Sequence, residues 1–231
     1  MNIMKKYTKK FNMFKVIINK SDPVILEIGA HFGEDSMRFA QTFPNATIHC
    51  FEPDPRCIEI FKKHVKNKNI FLHEIALSNI DGELEFFQSY NEKEQATPEK
   101  YSWISDEDYQ NLKLGNSGAS SLKKGYNSVL KDTIKVKSTT YYKWSTNNKI
   151  DEVDLAWIDV QGAERDVLEG IGDKLKHIRF IWIEYGEMFY DDSMSRDQTV
   201  NMLSSKGFEV IEELSSHGNK GDLLFKRRIN E

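Results

Sequence analysis

Two short segments in the first quarter of the chain combine glycine and acidic residues at a spacing that suits a nucleoside ligand. The segment Val-Ile-Leu-Glu-Ile-Gly-Ala-His-Phe-Gly at 24–33 has the pattern of an apolar strand that runs into a turn containing Gly29 and Gly33. Phe-Glu-Pro-Asp-Pro follows at 51–55. Small residues let a backbone approach a ligand closely, and a carboxylate about 20 positions later can bind two ribose hydroxyls. Glu52 is placed for that role, so the two segments predict a nucleoside-binding crevice.

The residues around these glycines favour a cationic ligand over a dinucleotide. Dinucleotide folds use G-x-G-x-x-G to place a pyrophosphate on a helix N-terminus, whereas this chain has His31 at the middle glycine position. Glu27 lies in the strand end, where a carboxylate would repel a pyrophosphate but attract an ammonium or sulfonium group. This combination suits S-adenosylmethionine better than NAD. An ordinary tight turn between strand and helix is the alternative, because one glycine-rich turn is a weak signal.

Two further carboxylates lie near the ends of apolar runs in the second half of the chain. Asp159 lies near the end of the run 153–160, and Glu184 lies near the end of the run 178–185. Ligands of open α/β sheets bind outside the carboxyl ends of the strands, so both side chains are expected at the rim of the nucleoside crevice. A carboxylate there can take the proton of an acceptor hydroxyl held in line with a methyl carbon. Asp159 is the first candidate for this base and Glu184 the second. The alternative for Asp159 is a hydrogen bond to the cofactor or a helix cap.

Metal ions and disulfides have little support in the sequence. Asp159 and Glu184 could share a magnesium or calcium ion, but no Asp-x-Asp cluster lies beside them, so no metal site is predicted. The histidines other than His31 are scattered, and a surface or core position explains each more simply than a ligand role. Cys50 and Cys57, the only cysteines, form no disulfide framework or metal-ligand pattern. They indicate a reducing, cytoplasmic setting.

The elements that must position these residues alternate between strand patterns and helical patterns, which is typical of a parallel sheet with crossover helices. The predicted strands are 24–29, 47–52, 70–76, 153–160 and 178–185, and the predicted helices are about 34–42, from 55 onward, 164–175 and 195–206. Two closing strands near 208–214 and 221–226 complete a seven-stranded sheet with a terminal antiparallel hairpin.

A long segment at 89–132 interrupts this alternation. It follows a short half-exposed strand predicted at 83–88, and its composition predicts irregular structure. Its position predicts a substrate lid, in which aromatic faces stack on sugar rings and polar groups bind sugar hydroxyls. The alternative is that the aromatic residues pin a long loop to the protein body. The aromatic residues concerned are Tyr90, Tyr101, Trp103, Tyr109 and Tyr126.

Length and charge bound the class of protein. The 231 residues allow one large domain or two small ones, and the continuous α/β pattern favours one domain over 1–231. A net charge of −4, from 32 basic and 36 acidic residues, gives no global basic field that would gather nucleic acid. No run of about 18 apolar residues predicts a membrane span, and the basic N-terminus lacks the features of a signal peptide.

The first 20 residues are predicted to form an amphipathic helical extension. Phe11, Phe14 and Ile18 recur at helical spacing. We expect them to cover the edge of the sheet. The alternative is a contact with an anionic membrane surface, since basic residues accompany these apolar ones.

Five motifs in order resemble the FkbM family of S-adenosylmethionine-dependent methyltransferases over about 24–226. They are Glu-Ile-Gly-Ala-His-Phe-Gly, Phe-Glu-Pro-Asp-Pro, Glu-Ile-Ala-Leu-Ser, Ser-Gly-Ala-Ser-Ser-Leu and Ile-Asp-Val-Gln-Gly-Ala-Glu-Arg-Asp-Val-Leu-Glu-Gly. The last, at 158–170, is the most specific, because the usual form in the family is Ile-Asp-Val-Glu-Gly-Ala-Glu before an apolar-rich helix. Gln161 replaces the acidic residue here, and Thr139-Thr140-Tyr141 replaces the usual Thr-Leu-Asp. The resemblance implies a Rossmann-like class I methyltransferase fold and methylation of hydroxyl groups on sugars or natural products.

The resemblance also implies roles for individual residues. Ser36 would bind the cofactor carboxylate, Glu52 the ribose, and 73–76 would border the adenine, with Ala76 at the end of that segment. Asp159 and Gln161 would lie beside the methyl group. The methionine end would be lined by Glu27, Gly29, Ala30, His31 and Gly33.

Residues and resemblance together predict an O-methyltransferase that acts on a hydroxyl of a sugar, glycan or related small molecule, with a nucleotide sugar among the acceptors considered. S-adenosylhomocysteine would be its product. The alternatives are a methyltransferase acting on protein or nucleic acid, and a noncatalytic nucleoside-binding module. A nucleic-acid enzyme should present a basic stripe beside the crevice, whereas 89–132 mixes acids and bases almost evenly. A homodimer through the N-terminal helix or a sheet edge is a further expectation.

Overall fold

The computed structural model describes residues 3–91, 103–125 and 130–228. The helices are α1 Ile3–Ile18, α2 Glu34–Thr42, α3 Pro55–His64, α4 Asp106–Asn111, α5 Tyr141–Asn148, α6 Glu164–Ile171 and α7 Arg196–Ser205, with 3₁₀ turns at Ser117–Ala119 and Gly172–His177. The strands are β1 Val24–Ile28, β2 Thr47–Phe51, β3 Ile70–His73, β4 Ala76–Leu77, β5 Gly82–Ser89, β6 Leu130–Thr139, β7 Val153–Ile158, β8 Ile178–Gly186, β9 Phe208–His217 and β10 Lys220–Arg227.

The main sheet has seven strands in the order β3-β2-β1-β7-β8-β10-β9. β1 pairs in parallel with β2 and β7, and β7 pairs in parallel with β8. β10 runs antiparallel to both β8 and β9 and forms the terminal hairpin. Every residue of the central strand β7 is buried, as expected for a parallel strand covered on both faces. The predicted mostly parallel seven-stranded α/β fold is confirmed.

The predicted strand at 70–76 is wrong at its end, because the chain leaves the main sheet after His73. Ala76 and Leu77 instead pair with Ser138 and Thr139 in a second sheet of order β4-β6-β5. β6, at 130–139, was not predicted. Its sequence alternates apolar residues with lysines and is too polar to stand out, so its pairing with β5 decides its structure.

The prediction of irregular structure throughout 89–132 is also wrong, since α4, a 3₁₀ turn and the start of β6 fall within it. Tyr109 of α4 is 2% exposed and shares an apolar cluster with Phe32 and Leu114. Trp103 packs with its edge towards the ring of Phe32. These two aromatic residues therefore pack the segment against the protein body, which is the alternative stated above to contact with a sugar. Tyr90 is half-buried, and Tyr101 and Tyr126 lie outside the described residues.

A helix that was not predicted, α5, follows β6. Its sequence, Tyr-Tyr-Lys-Trp-Ser-Thr-Asn-Asn, has low helix propensity. The Thr140 hydroxyl caps it by accepting a hydrogen bond from Lys143 N at 3.2 Å. Trp144 packs edge-on against Phe51 and His73, so tertiary contacts stabilise this helix. The Thr139-Thr140-Tyr141 segment is thus a helix start.

Helix α1 lies on a face of the main sheet and not on its edge, which corrects the expectation for the N-terminal extension. Phe11 and Phe14 are buried, and the ring of Phe11 stacks on Trp157 of the central strand β7. Arg179 Nη1 donates a hydrogen bond to the Ile18 carbonyl oxygen at 2.7 Å and fixes the helix end. The apolar side of α1 therefore packs against protein. Among the described helices, α1 included, none is both long and apolar enough to cross a bilayer.

Candidate active site

A cavity of about 500 Å³ opens at the carboxyl ends of β1, β2 and β7. Its volume falls in the range of small-molecule sites. The strand order changes direction between β1 and β7, which is the usual ligand position in an open α/β sheet. The second sheet and the 3₁₀ turn at Ser117–Ala119 close its other side. The cavity thus lies where the sequence predicts the nucleoside crevice.

The two glycines of the turn at 29–33 are required by packing within the protein. Gly29 has φ +90°, and a Cβ there would lie 1.8 Å from the backbone oxygen of Asp159. Gly33 has φ +85°, and its Cβ would lie 2.6 Å from Val65 Cγ2. Only glycine fits where β1 meets the end of β7 this closely. Gly29 and its neighbour Ala30 line the cavity, whereas Gly33 does not.

His31 joins this turn to two other segments. Its φ is +50°, and its backbone N–H donates to Glu52 Oε2 at 2.8 Å. Its ring Nε2 lies 2.8 Å from Ser117 Oγ, and its Nδ1 lies 3.2 Å from Glu34 Oε1. Ser117 belongs to the Ser-Gly-Ala-Ser-Ser-Leu motif, for which no role was predicted. The structure shows that this motif braces the wall opposite the sheet.

Glu52 lines the cavity just after the end of β2 and is held there by backbone hydrogen bonds. Its Oε2 accepts from His31 N, and its Oε1 accepts from Asp54 N at 2.7 Å. Each carboxylate oxygen keeps a second lone pair, which suits two neighbouring hydroxyls. Burial and the nearby Asp54 carboxylate raise the pKa of Glu52 to about 7.

Glu27 and Ser36 form a buried pair beneath the turn. Glu27 is 2% exposed, accepts a hydrogen bond from the Ser36 hydroxyl and accepts a second from Cys50 Sγ at 3.4 Å. Burial raises the pKa of Glu27 well above its usual range, and a cationic ligand would lower it again. Glu27 lines the cavity, but Ser36 does not, and its single hydroxyl proton is donated to Glu27. The structure therefore places Ser36 away from the cofactor carboxylate it was expected to bind.

The two candidate bases are bridged by Gln161. Its Nε2 donates to Asp159 Oδ1 at 2.6 Å and to Glu184 Oε2 at 2.9 Å. Asp159 and Gln161 line the cavity, whereas Glu184 lies behind them with its Oε1 3.3 Å from Lys220 Nζ. Burial raises the pKa of Asp159. The pKa of Glu184 is also raised, first by burial and second by the negative charge of Asp159. The two acids thus meet at one rim, but only Asp159 faces the cavity.

Several residues of the site were missed by sequence reasoning. Asp35 and Arg38 of α2 line the cavity and form an ion pair with 2.5 Å between Oδ1 and Nη1. Their i, i+3 spacing after the glycine turn was the available signal. Tyr190 donates from its hydroxyl, which lies 3.2 Å from Gln161 Oε1 and 3.1 Å from the Ala119 carbonyl oxygen. Nothing in its local sequence indicated this contact.

The cavity residues fit S-adenosylmethionine. Apolar side chains at one end suit the adenine ring, and Glu52 is placed for the ribose. Carboxylates at the other end suit the cationic groups of the methionyl part. Ala76 belongs to the apolar set, which is Phe51, Ala76, Leu77 and Phe86. Among the described residues, no group of three or more His, Cys, Asp or Glu side chains is arranged to hold a metal ion.

Sequence comparisons agree with this fit. The model of the methyltransferase FkbM domain matches residues 27–218. The 2-O-methyltransferase NoeI of Sinorhizobium fredii (strain NBRC 101917 / NGR234) is 30% identical over 217 residues, which cover 91% of this chain and 82% of that protein. The methyltransferase sdnD of Sordaria araneosa is 22% identical over 206 residues, which cover 84% of this chain and 76% of sdnD.

Solved structures share the fold at low identity. The 1,6-didemethyltoxoflavin-N1-methyltransferase of Burkholderia thailandensis has a TM-score of 0.50 at 9% identity, covering 97% of this chain and 79% of that one. The fibrillarin pre-rRNA processing protein of Methanococcus jannaschii has a TM-score of 0.50 at 14% identity, covering 90% of this chain and 67% of that one. These likenesses concern the fold alone, and they confirm its Rossmann-like class.

Proposed function

The chain belongs to the FkbM family of S-adenosylmethionine-dependent methyltransferases, and from that premise we propose that it methylates a hydroxyl group of a neutral sugar or glycan. One observation carries the proposal. The Asp159 carboxylate faces the cavity and is fixed there by Gln161. The similarity to a protein named as a 2-O-methyltransferase supports the same chemistry.

We assign the cofactor to the whole length of the cavity. When bound, S-adenosylmethionine supplies an electrophilic methyl group on a sulfonium. Glu52 accepts hydrogen bonds from the two ribose hydroxyls through the lone pairs that its backbone donors leave free. Glu27 and Asp35 place negative charge at the cationic end. Gly29, Ala30 and His31 form the turn beneath it.

Asp159 is our proposed base. Gln161 donates to Oδ1, so Oδ2 is the oxygen assigned to the acceptor hydroxyl. Burial raises the pKa of Asp159, which brings a carboxylate closer to the proton affinity that general-base catalysis needs. Glu184 is our proposed positioning residue, because it reaches Asp159 through Gln161 and does not line the cavity. Burial and the negative charge of Asp159 raise the pKa of Glu184, so the two acids do not both carry a full negative charge easily.

The charges around the cavity favour a neutral acceptor. Among the described residues that line it, Arg38 is the one lysine or arginine, and it is paired with Asp35. An acidic rim of this kind repels the phosphates of nucleic acid and of nucleotide sugars. The acidic residues of the lining are Glu27, Glu34, Asp35, Glu52, Asp54 and Asp159.

The test is methyl transfer from labelled S-adenosylmethionine to a panel of acceptors. The panel contains neutral mono- and oligosaccharides, nucleotide sugars, small hydroxylated metabolites, a peptide mixture and total RNA. We expect incorporation into neutral saccharides, with Asp159→Asn as the inactive control. Incorporation into RNA or peptide would contradict the proposal that the acceptor is a sugar or glycan. Cofactor binding without transfer to any acceptor would favour the noncatalytic module.

A further inference from the structure

Within the described part of the chain, the lining of the cavity offers one lysine or arginine, Arg38, to the carboxylate of the methionyl group. Glu27, Asp35 and Asp159 surround the end of the cavity assigned to that group. Arg38 lies there too, but Asp35 already pairs with it at 2.5 Å. A carboxylate entering this end therefore meets mainly like charges, which repel it unless another cation lies close by.

Lys10 of helix α1 places its ammonium group over two indole rings of the main sheet. Its Nζ lies 4.0 Å from the ring centroid of Trp157 and 4.7 Å from that of Trp182. The two indole rings stack with 3.7 Å between their centroids and form a platform for the ammonium group. Trp157 itself lines the cavity. Lys10 is half-buried and does not itself line the cavity, so its side chain must turn past the edge of Trp157 to reach a ligand there.

The position of Lys10 is fixed by its neighbours on α1. Phe11 and Phe14 are buried, and both rings contact Phe39 and Trp157. Aromatic contacts of this kind set the rotation and register of a helix on a sheet. These contacts therefore fix the backbone of Lys10 beside Trp157, while its flexible four-carbon side chain can still turn towards the cavity.

Two of the acids that act on Lys10 line the cavity. Burial lowers the pKa of its ammonium group, whereas the carboxylates of Asp35, Asp222 and Asp159 raise it. Asp35 and Asp159 both line the cavity. Lys10 thus lies within electrostatic range of the acids that surround the methionyl end.

We propose that Lys10 binds the carboxylate of the methionyl group of S-adenosylmethionine. Helix α1, which precedes the matched domain at 27–218, then completes the cofactor site. The inference rests on the proposed function, since it uses the cofactor orientation given there. It also accounts for Ser36, whose expected contact with this carboxylate the structure does not provide.

Calorimetry with two ligands tests the proposal. S-adenosylmethionine and decarboxylated S-adenosylmethionine share the sulfonium, amine and nucleoside and differ in the carboxylate. Lys10→Met keeps a long apolar side chain over the indole platform and removes the charge. We expect Lys10→Met to weaken S-adenosylmethionine binding about tenfold, the size of one charge-assisted hydrogen bond, and to leave the decarboxylated ligand unchanged. Lys15→Met, on the exposed side of the same helix, should change neither affinity.

Two results overturn the proposal. Equal losses for both ligands in Lys10→Met would give Lys10 a purely structural role. Equal affinity of the unaltered protein for both ligands would show that the carboxylate gains nothing from any cation, and this measurement needs no variant to fold. Lys10→Arg should retain the preference for the carboxylate. Failure of the unaltered protein to bind either ligand would instead overturn the proposed function itself.

Discussion

The nucleoside side of the cavity is fixed by backbone hydrogen bonds, whereas the acid side is fixed by bonds between side chains. On the nucleoside side, His31 N and Asp54 N hold Glu52. On the acid side, the Gln161 amide holds Asp159 and Glu184. Backbone donors are set by the fold, but a side-chain amide can reorient. We therefore expect substitutions on the nucleoside side to change binding or folding, and those on the acid side to change turnover.

Asp159→Asn gives the largest expected effect and tests the acid side directly. The amide has the same shape but cannot take the acceptor proton, so we expect kcat to fall about a thousandfold, within the usual range for loss of a general base. Affinity for S-adenosylhomocysteine should change by less than about threefold, and the melting temperature should not fall. Steady-state kinetics and calorimetry on the same preparation measure these quantities.

A Glu184→Gln variant is the matched control for Asp159→Asn. Glu184 contacts Gln161 and is our proposed positioning residue, so its loss should lower kcat about tenfold and not a thousandfold. If Glu184→Gln proved as inactive as Asp159→Asn, the two acids would act as one unit. Full turnover by Asp159→Asn would remove Asp159 from the mechanism.

Gly29→Ala tests the rigidity of the nucleoside side. The added Cβ would lie 1.8 Å from the Asp159 carbonyl oxygen, so β1 and the end of β7 must move apart. We expect a loss of about 3 kcal/mol or more in the free energy of unfolding, measured by urea denaturation. Gly207→Ala is the matched control, because its φ is +89° and nothing lies within 4 Å of its Cβ position. It should lose only about 1 kcal/mol, and equal losses would show that backbone strain, not the close approach, makes Gly29 necessary.

The same contrast explains how much the sequence could predict. Gly29 and Glu52 follow strands at a spacing that the fold repeats, so local pattern located the nucleoside side of the cavity and most strands of the main sheet. The bridge from Gln161 to Glu184 joins residues 23 positions apart through side-chain rotamers, which no local pattern encodes. Ser36 shows that the sequence does not decide which residues of a single helix turn face the cavity. The rotation of α2 directs Ser36 to Glu27 and leaves the neighbouring Asp35 at the cavity.

The second sheet and helix α5 escaped prediction for a different reason. β6 pairs with β5 across the segment at 89–132, so its partner is distant in sequence. Its lysine-rich alternation is weak without that partner. Helix α5 depends on the contacts of Trp144 with Phe51 and His73. In both cases tertiary packing outweighs local propensity.

The pH dependence of ligand binding tests the role of Glu52 on the nucleoside side. The pKa of Glu52 is about 7 in the free protein, so the carboxyl group is increasingly protonated below that pH and loses acceptor capacity for the ribose hydroxyls. Binding favours the charged form. Affinity for S-adenosylhomocysteine should therefore fall as the pH decreases from about 7.5 to about 6 and level off above that range. Calorimetry across this range measures it.

The Glu52→Gln variant separates the contribution of Glu52 from that of other groups that titrate at a similar pH. The pKa of Glu164 is also raised to about 7, because it is buried behind the turn at 160–163. Glu52→Gln should bind S-adenosylhomocysteine about tenfold more weakly at neutral pH, as expected for lost charge-assisted bonds, and its affinity should lose most of the pH dependence. An unchanged pH dependence in Glu52→Gln would show that the titration of Glu164 or Glu27, and not of Glu52, controls binding.

Tyr190→Phe has the smallest expected effect and probes how firmly the acid side is held. The Tyr190 hydroxyl lies 3.2 Å from Gln161 Oε1 and 3.1 Å from the Ala119 carbonyl oxygen. Without it, the Gln161 amide can rotate, and kcat should fall about fivefold at constant KM, consistent with one hydrogen bond of about 1 kcal/mol. Tyr185→Phe is the control, because its hydroxyl donates to Glu213 Oε1 at 3.0 Å on the terminal hairpin. That variant should lose similar stability without losing turnover. A loss of turnover in both variants would mean that general loosening of the protein, not the position of Gln161, slows the reaction.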